Sequence, residues 1–275
     1  LCPLRLCGEL IDMELLTYLL TGALAGLMAG LLGIGGGLVI VPALALLFAG
    51  QGFAQGALMH FAVGTSLATI VLTAVSSLLA HHRRGSVLWP AVRGMAPGIV
   101  LGALAGAWLA RQVSSPGLAL VFGVFEILVA LQLLVDRQPA AHRALPGTAG
   151  LGIAGGVIGT VSALLGIGGG TLTVPFLLWN RVDIRKAVGT AATCGLPIAL
   201  AGAAGFMLAG QGSEPAQGWS TGFVYWPAVA GIVLASVPLA PLGARLAHWL
   251  PRRLLQLIFA VFLAAVGARM VIAAW

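Results

Sequence analysis

Apolar runs of about 20 residues, the length needed to cross a hydrocarbon layer as helix, recur along this chain between short polar breaks. They predict ten helical segments, near 14–33, 37–50, 59–80, 87–110, 117–135, 147–166, 170–180, 187–209, 222–244 and 254–274. The second and seventh are too short to cross comfortably. The alternating ten-residue segments of a membrane barrel are not seen. The pattern predicts an all-α polytopic membrane protein.

The ten segments fall into two sets of five. "LLGIGGG" occurs at Leu31–Gly37 and again at Leu164–Gly170, followed at equal distance by Pro42 and Pro175. "AVGTS" (Ala62–Ser66) answers "AVGTA" (Ala187–Ala191), and "WPAV" recurs at Trp89 and Trp226. Phe122, Val124 and Phe125 align with Phe259, Val261 and Phe262. The chain therefore reads as a duplication: a first repeat over 13–135, a linker over 136–147 and a second repeat over 148–275. Residues 1–12, which precede Met13, are expected to be a flexible or non-native extension and are set aside from fold reasoning.

Charge sets the relative orientation of the halves. "HHRRG" (His81–Gly85) follows the third segment, whereas "NRVDIRK" (Asn180–Lys186) follows the seventh and Arg245–Arg253 the ninth. Together with the linker these loops hold ten of the 14 Lys and Arg residues. Basic loops collect in the cytoplasm, and putting all of them there places equivalent loops on opposite sides. The halves are then inverted repeats, with broken or re-entrant helices at the two GIGGG motifs: eight spans plus two re-entrant pairs, or ten segments. Both termini are expected outside, in a bacterial inner membrane.

Composition agrees with this reading: 60% of the 275 residues are hydrophobic and 8% charged, against about a quarter charged in an ordinary soluble domain. The net charge of +7 belongs to the loops and calls for no nucleic-acid partner. The three cysteines have no metal-like spacing, and no cofactor or metal is expected. No Ser/His, HExxH or paired-carboxylate constellation falls within the segments, so an enzyme is not expected.

The GIGGG motifs carry the candidate chemistry. Neither has the Lys-Ser/Thr of a P-loop, and Leu38 and Thr171 stand where a dinucleotide fingerprint needs its last glycine. What remains is backbone exposure. Glycines let a helix stop within the membrane and leave N–H groups uncovered, and a helix N-terminus with free donors attracts anions. Two such breaks in inverted repeats would face one central site. Gly35, Gly36 and Gly37, with Gly168, Gly169, Gly170 and Thr171, are therefore candidate anion ligands. Thr65, Ser66 and Thr190 are candidates for hydroxyl contacts, beside the alternative that each bonds a backbone carbonyl one turn back. Thr69 and Thr193 pose the same choice. The glycines of "GALAGLMAG" (Gly22, Gly26, Gly30) and "GIVLGALAG" (Gly98, Gly102, Gly106) follow the spacing of close helix packing.

With "GLLGIGGGLVIVP" (Gly30–Pro42), "ALLGIGGGTLTVP" (Ala163–Pro175), "AVGTSL" and "AVGTA", the chain resembles the TauE/SafE sulfite and organosulfonate exporters over essentially everything after Met13. The resemblance implies an inner-membrane transporter of small sulfur-containing anions or related carboxylates. The expected function is secondary transport by alternating access around a central anion site, with a passive anion channel on the same broken helices as the alternative. Glu126, the one acid deep in a segment, is a candidate carrier of a coupling proton; its repeat partner is Leu263. Arg93 and Arg269 lie near segment ends and are expected to snorkel. His60 flanks an outer loop, and the tryptophans, among them Trp89, Trp219 and Trp226, read as interface anchors.

Overall fold

The computed structural model describes residues 4–32, 36–135, 144–212, 218–246 and 252–274. Ten helices follow in chain order: α1 (Leu4–Leu32), α2 (Gly37–Gly50), α3 (Leu58–Arg83), α4 (Trp89–Gln112), α5 (Ser115–Val135), α6 (Thr148–Leu165), α7 (Gly170–Trp179), α8 (Ile184–Ala209), α9 (Trp226–Leu246) and α10 (Arg252–Ala273). Each expected segment is a helix, and α1 starts at Leu4, upstream of Met13. One element departs from an all-helical chain. Ser220–Thr221 (β1) and Val224–Tyr225 (β2) form a two-stranded antiparallel turn before α9, because Gly222 takes the left-handed φ of +55° that a tight reversal requires.

Among the described residues, six helices, α3, α4, α5, α6, α8 and α10, are long and apolar enough to cross a membrane. Large apolar side chains point outward from them, including Leu101, Ile153 and Ile272. This is the face a multi-pass membrane protein turns to lipid. α2 and α7 have 14 and 10 residues, about 21 and 15 Å at 1.5 Å per residue, short of a hydrocarbon layer of about 30 Å.

The helices pair across the two halves. α4 packs most extensively on α6, α1 on α9, α5 on α10 and α3 on α8. Exchanging α1–α5 with α6–α10 maps this set of pairs onto itself. Small residues make the close pairs. The backbone of α6 fills the space beside three α4 glycines, with Gly98 against Gly152, Gly102 against Gly156 and Gly106 against Thr160. Gly22 and Gly26 of α1 meet Ile232 and Ser236 of α9 in the same way. Partner numbers rise together in both seams, so these helices run parallel. In α3 and α8 they run oppositely: Gly64 lies against Phe206, Leu67 against Gly202, and Ile70 and Ala74 cluster with Ala199. Two helices that are equivalent by sequence are therefore antiparallel.

That arrangement brings the basic end of α3 (His81, His82, Arg83) to the start of α8, where Arg185 and Lys186 stand. Dispersion and shape hold the parallel seams, because lipid offers no hydrophobic drive between helices. Gly102→Val should therefore force α4 off the α6 backbone and lower the thermal midpoint of the purified protein by several degrees. An unchanged midpoint would mean that the seam is not close-packed.

Candidate functional site

The second glycine break is built from its caps. α6 stops at Gly166, which adopts φ +68°. The N–H of Ile167 donates to the Ser162 carbonyl at 3.0 Å and that of Gly166 to Ala163 at 3.2 Å, a Schellman-type stop that glycine permits without a Cβ clash. Ile167 and Gly168 continue outside any helix, and α7 begins after Gly169, whose carbonyl accepts from the N–H of Thr173 at 3.0 Å. α2 opens alike: Gly36 precedes it and accepts from the N–H of Ile40 at 2.9 Å. Helix geometry gives the first N–H groups of a helix no acceptor one turn back; in α2 that of Val39 turns to the Gly36 carbonyl at 3.0 Å. Gly35 lies outside the described residues.

The two breaks meet. A Cβ on Gly37 would lie 2.6 Å from the carbonyl oxygen of Gly166 and 2.8 Å from Cα of Ile167. Ile70 of α3 reaches both, lying near Gly37 and Gly168. Gly169 presses on α8, where a Cβ would come within 2.6 Å of the Ala191 oxygen and 2.9 Å of the Gly195 nitrogen. Ile70 and Gly195 sit near the midpoints of two 26-residue helices. α1 and α2 fold back on each other from this level. Gly36 lies against Ala25, and Tyr18 Oη donates to Gln51 Oε1 at 2.7 Å.

The hydroxyl residues divide into three kinds. Thr69 and Thr193 donate to carbonyls one turn back, Thr65 and Gly189, at 2.8 and 2.9 Å. Ser66 donates to the Gly166 carbonyl at 2.8 Å, so its proton serves the break itself. Thr65 and Thr190 do neither. The Oγ1 of Thr65 accepts from the N–H of Tyr225 at 3.1 Å, and that of Thr190 from the N–H of Leu88 at 2.9 Å. Leu88 and Tyr225 occupy the same place in the two repeats, immediately before "WPAV". The preceding glycines match as well: the carbonyl of Phe223 fills the space beside Gly64, and that of Ser86 the space beside Gly189.

The AVGT motifs are thus reciprocal clasps. Glycine admits the other half's chain, and threonine accepts from its amide, buried at Tyr225 and half-buried at Leu88. A hydroxyl that accepts in this way keeps its own proton to donate. Sequence reasoning singled out the threonines but missed the glycines, Leu88 and Tyr225; the signal was the duplication of both motifs with a common neighbour. Thr190→Val keeps the shape but leaves the Leu88 amide unpaired, which should cost about 1–3 kcal/mol. Chemical or thermal unfolding of the variant checks this, and a loss below that range would mean that water or another acceptor replaces the hydroxyl.

Gly170 and Thr171 form the half-buried first turn of α7. Glu126 is fully buried between α5 and α10, beside Gly267, and neither of its carboxyl oxygens has a hydrogen-bond partner among the described residues. It stands apart from the residues that meet at the breaks. Arg93 and Arg269 are exposed. His60 is not an interfacial residue at large: it is 5% exposed and its Nε2 bonds the Ala110 carbonyl at 2.9 Å.

Residues 18–270, nearly the whole chain and including both breaks and both clasps, match the family described as "Sulfite exporter TauE/SafE". The chain belongs to the TauE/SafE family. Among curated relatives of this TauE/SafE protein, a probable membrane transporter protein of Haemophilus influenzae is 36% identical over 258 residues, covering 93% of this chain and 97% of that one. The probable membrane transporter protein YunE of Bacillus subtilis is 31% identical over 185 residues, covering 60% and 68%. YdhB of the same organism, also a probable membrane transporter protein, is 24% identical over 239 residues, covering 82% and 87%. No solved structure matches at a significant level. Family and relatives together identify a membrane transporter.

Proposed function

We propose that this TauE/SafE member is a secondary transporter of small sulfur-containing anions, sulfite and organosulfonates, or of related carboxylates, and that the anion binds where the two glycine breaks meet. The observation that carries this reading is the approach of Gly37 to Gly166 and Ile167 near the middle of α3. Two half-length helices begin there, and such helix starts in a water-poor interior favour an anion. The backbone at Gly36, Gly37, Gly168, Gly169 and Gly170 and the start of α7 at Thr171 supply the donors. The hydroxyls of Thr65 and Thr190 lie on opposite sides of the breaks and would each meet the anion on its way in or out.

The antiparallel course of α3 and α8 and the exchange symmetry of the helix pairs support inverted repeats. The fold-back of α2 on α1 supports a re-entrant pair. Rocking of one repeat against the other would then open the site to either side in turn. The shared basic end of α3 and α8 faces the cytoplasm by the positive-inside rule, which puts both termini outside. Glu126, a carboxyl without a partner among the described residues and set in an apolar seam, carries the coupling proton.

The test is uptake of radiolabelled sulfite into proteoliposomes, with competition by sulfonates, sulfate and small carboxylates, with and without a pH gradient. Saturable flux with counterflow, inhibited by particular sulfur anions, is expected. Flux that neither saturates nor exchanges would indicate a channel, and a panel in which nothing is carried or competes would sink the substrate class.

A further inference from the structure

A cavity of about 470 Å³ opens at the end of the molecule opposite the basic loops, away from the glycine breaks. Among the described residues it is lined by His60, the α4 end and following turn from Arg111 to Ser114, Phe223 and the chain at Gly56–Ala57. Four features of this lining favour negative charge. α3 begins directly after Ala57 and α5 directly after Ser114, so two helix N-termini flank the space. Arg111 makes no hydrogen bond or ion pair among the described residues, and Gln112 beside it is exposed. His60 is buried to 95% of its surface; the Ala110 and Val113 carbonyls lie beside its ring, and its Nδ1 makes no hydrogen bond among the described residues. Among the described residues the lining contains no carboxylate.

We propose that this cavity is a second binding site, separate from the glycine breaks, for a small oxyanion bearing a sulfonate- or phosphate-like head. Arg111 is its main ligand, and the site fills together with a proton on His60. The proton follows from hydrogen-bond bookkeeping. Nε2 faces a carbonyl, which only accepts, so Nε2 must carry a hydrogen. Neutral His60 then has only a lone pair at Nδ1, which repels an anion. The imidazolium has a second N–H, and in return it gains a charge-assisted bond. Of the elements packed around His60, the end of α4 contributes Arg111. The start of α5, the 51–57 turn and the chain at Phe223 contribute no titratable group among the described lining residues. Arg111 opposes the proton while the site is empty, and the anion offsets that opposition when it arrives. Binding and protonation are therefore linked, and the site should release its anion as pH rises.

The anion has two possible sources with one chemistry, a soluble solute or a lipid headgroup. Methanesulfonate and sulfate stay fully charged from pH 5.5 to 8.5, so with these probes any pH dependence belongs to the protein. Titration calorimetry on the purified full chain, in buffers of different ionisation enthalpy and with Glu126→Leu as background to remove the coupling proton, should give two equivalents of methanesulfonate for the unaltered site, the one at Arg111 with proton uptake. Arg111→Gln, on an exposed side chain, should lose one equivalent through an affinity drop of about tenfold or more, and His60→Gln should remove the proton uptake. Loss of the same equivalent on adding phosphatidylglycerol would assign the site to a headgroup, and its retention to a solute. A protein without a central site would bind one equivalent as wild type and none as Arg111→Gln, so failure of the transport reading remains distinguishable. Retention of every wild-type equivalent by Arg111→Gln overturns the second site. Absence of proton uptake in the Glu126→Leu background overturns the role of His60.

Discussion

Gly37→Ala should reduce transport by about 100-fold while leaving the protein folded in the membrane. The added Cβ would sit 2.6 Å from the Gly166 oxygen and 2.8 Å from Cα of Ile167. Both are backbone atoms and cannot swing aside. Relief requires the start of α2 to move off the second break by about half an ångström to one ångström, because carbon–carbon contacts are optimal at about 3.5–4.0 Å. Displacements of that size among positioning groups cost about 100-fold in rate. Two glycines serve as controls. Gly50, at the far end of the same helix, has open space around its Cβ position, and Gly50→Ala should transport normally. Gly168→Ala has its nearest neighbour at 3.8 Å, so it fits sterically and affects only the exposure of the adjacent backbone. Loss of transport in Gly168→Ala as well would point to bare backbone as the ligand; loss confined to Gly37→Ala would point to fit between the breaks. Normal uptake by Gly37→Ala would refute a site there.

Glu126→Leu should change stability and coupling in opposite directions. The carboxyl is fully buried and both oxygens lack partners among the described residues, an arrangement that costs about 1–3 kcal/mol for a polar group. Leu263, which aligns with it in the second repeat, is equally buried in the same α5–α10 seam, so the environment accepts leucine. The variant should unfold at higher temperature. If Glu126 carries the proton that couples transport, its uptake should also cease to respond to an imposed pH gradient, with substrate exchange at equal pH preserved. A stabilised variant that still follows the gradient would leave the glutamate with no part in coupling. A destabilised one would show that the carboxyl has a partner on which the seam depends.

The extent to which the chain could be read in advance follows from the range of each interaction. The ten helices were legible because each is written in local hydropathy, and α2 and α7 were legible as short because their apolar runs are short. Gly22, Gly26, Gly98, Gly102 and Gly106 were legible as packing residues because a four-residue spacing has few other uses in a lipid-exposed helix. Thr65 and Thr190 were legible only as pointers. Their partners, Tyr225 and Leu88, lie 160 and 102 positions away, and no local pattern announces a pairing at that range. The duplication did contain it, since a motif that binds the other half must be repeated together with what it binds. His60 and Arg111 were illegible as a pair for another reason. They sit at opposite ends of α3 and α4, and only the return of the chain between those helices brings the two ends together at one cavity.

The seams α1–α9 and α4–α6 carry a consequence for how the molecule comes to exist. Each joins helices from different halves, so the small-residue faces of the first half remain uncovered until the ribosome has made the second. Neither half closes a core of its own, and the order of synthesis does not supply a folded first domain on which the second can assemble. The grooves left waiting fit the second half of any copy as well as they fit their own.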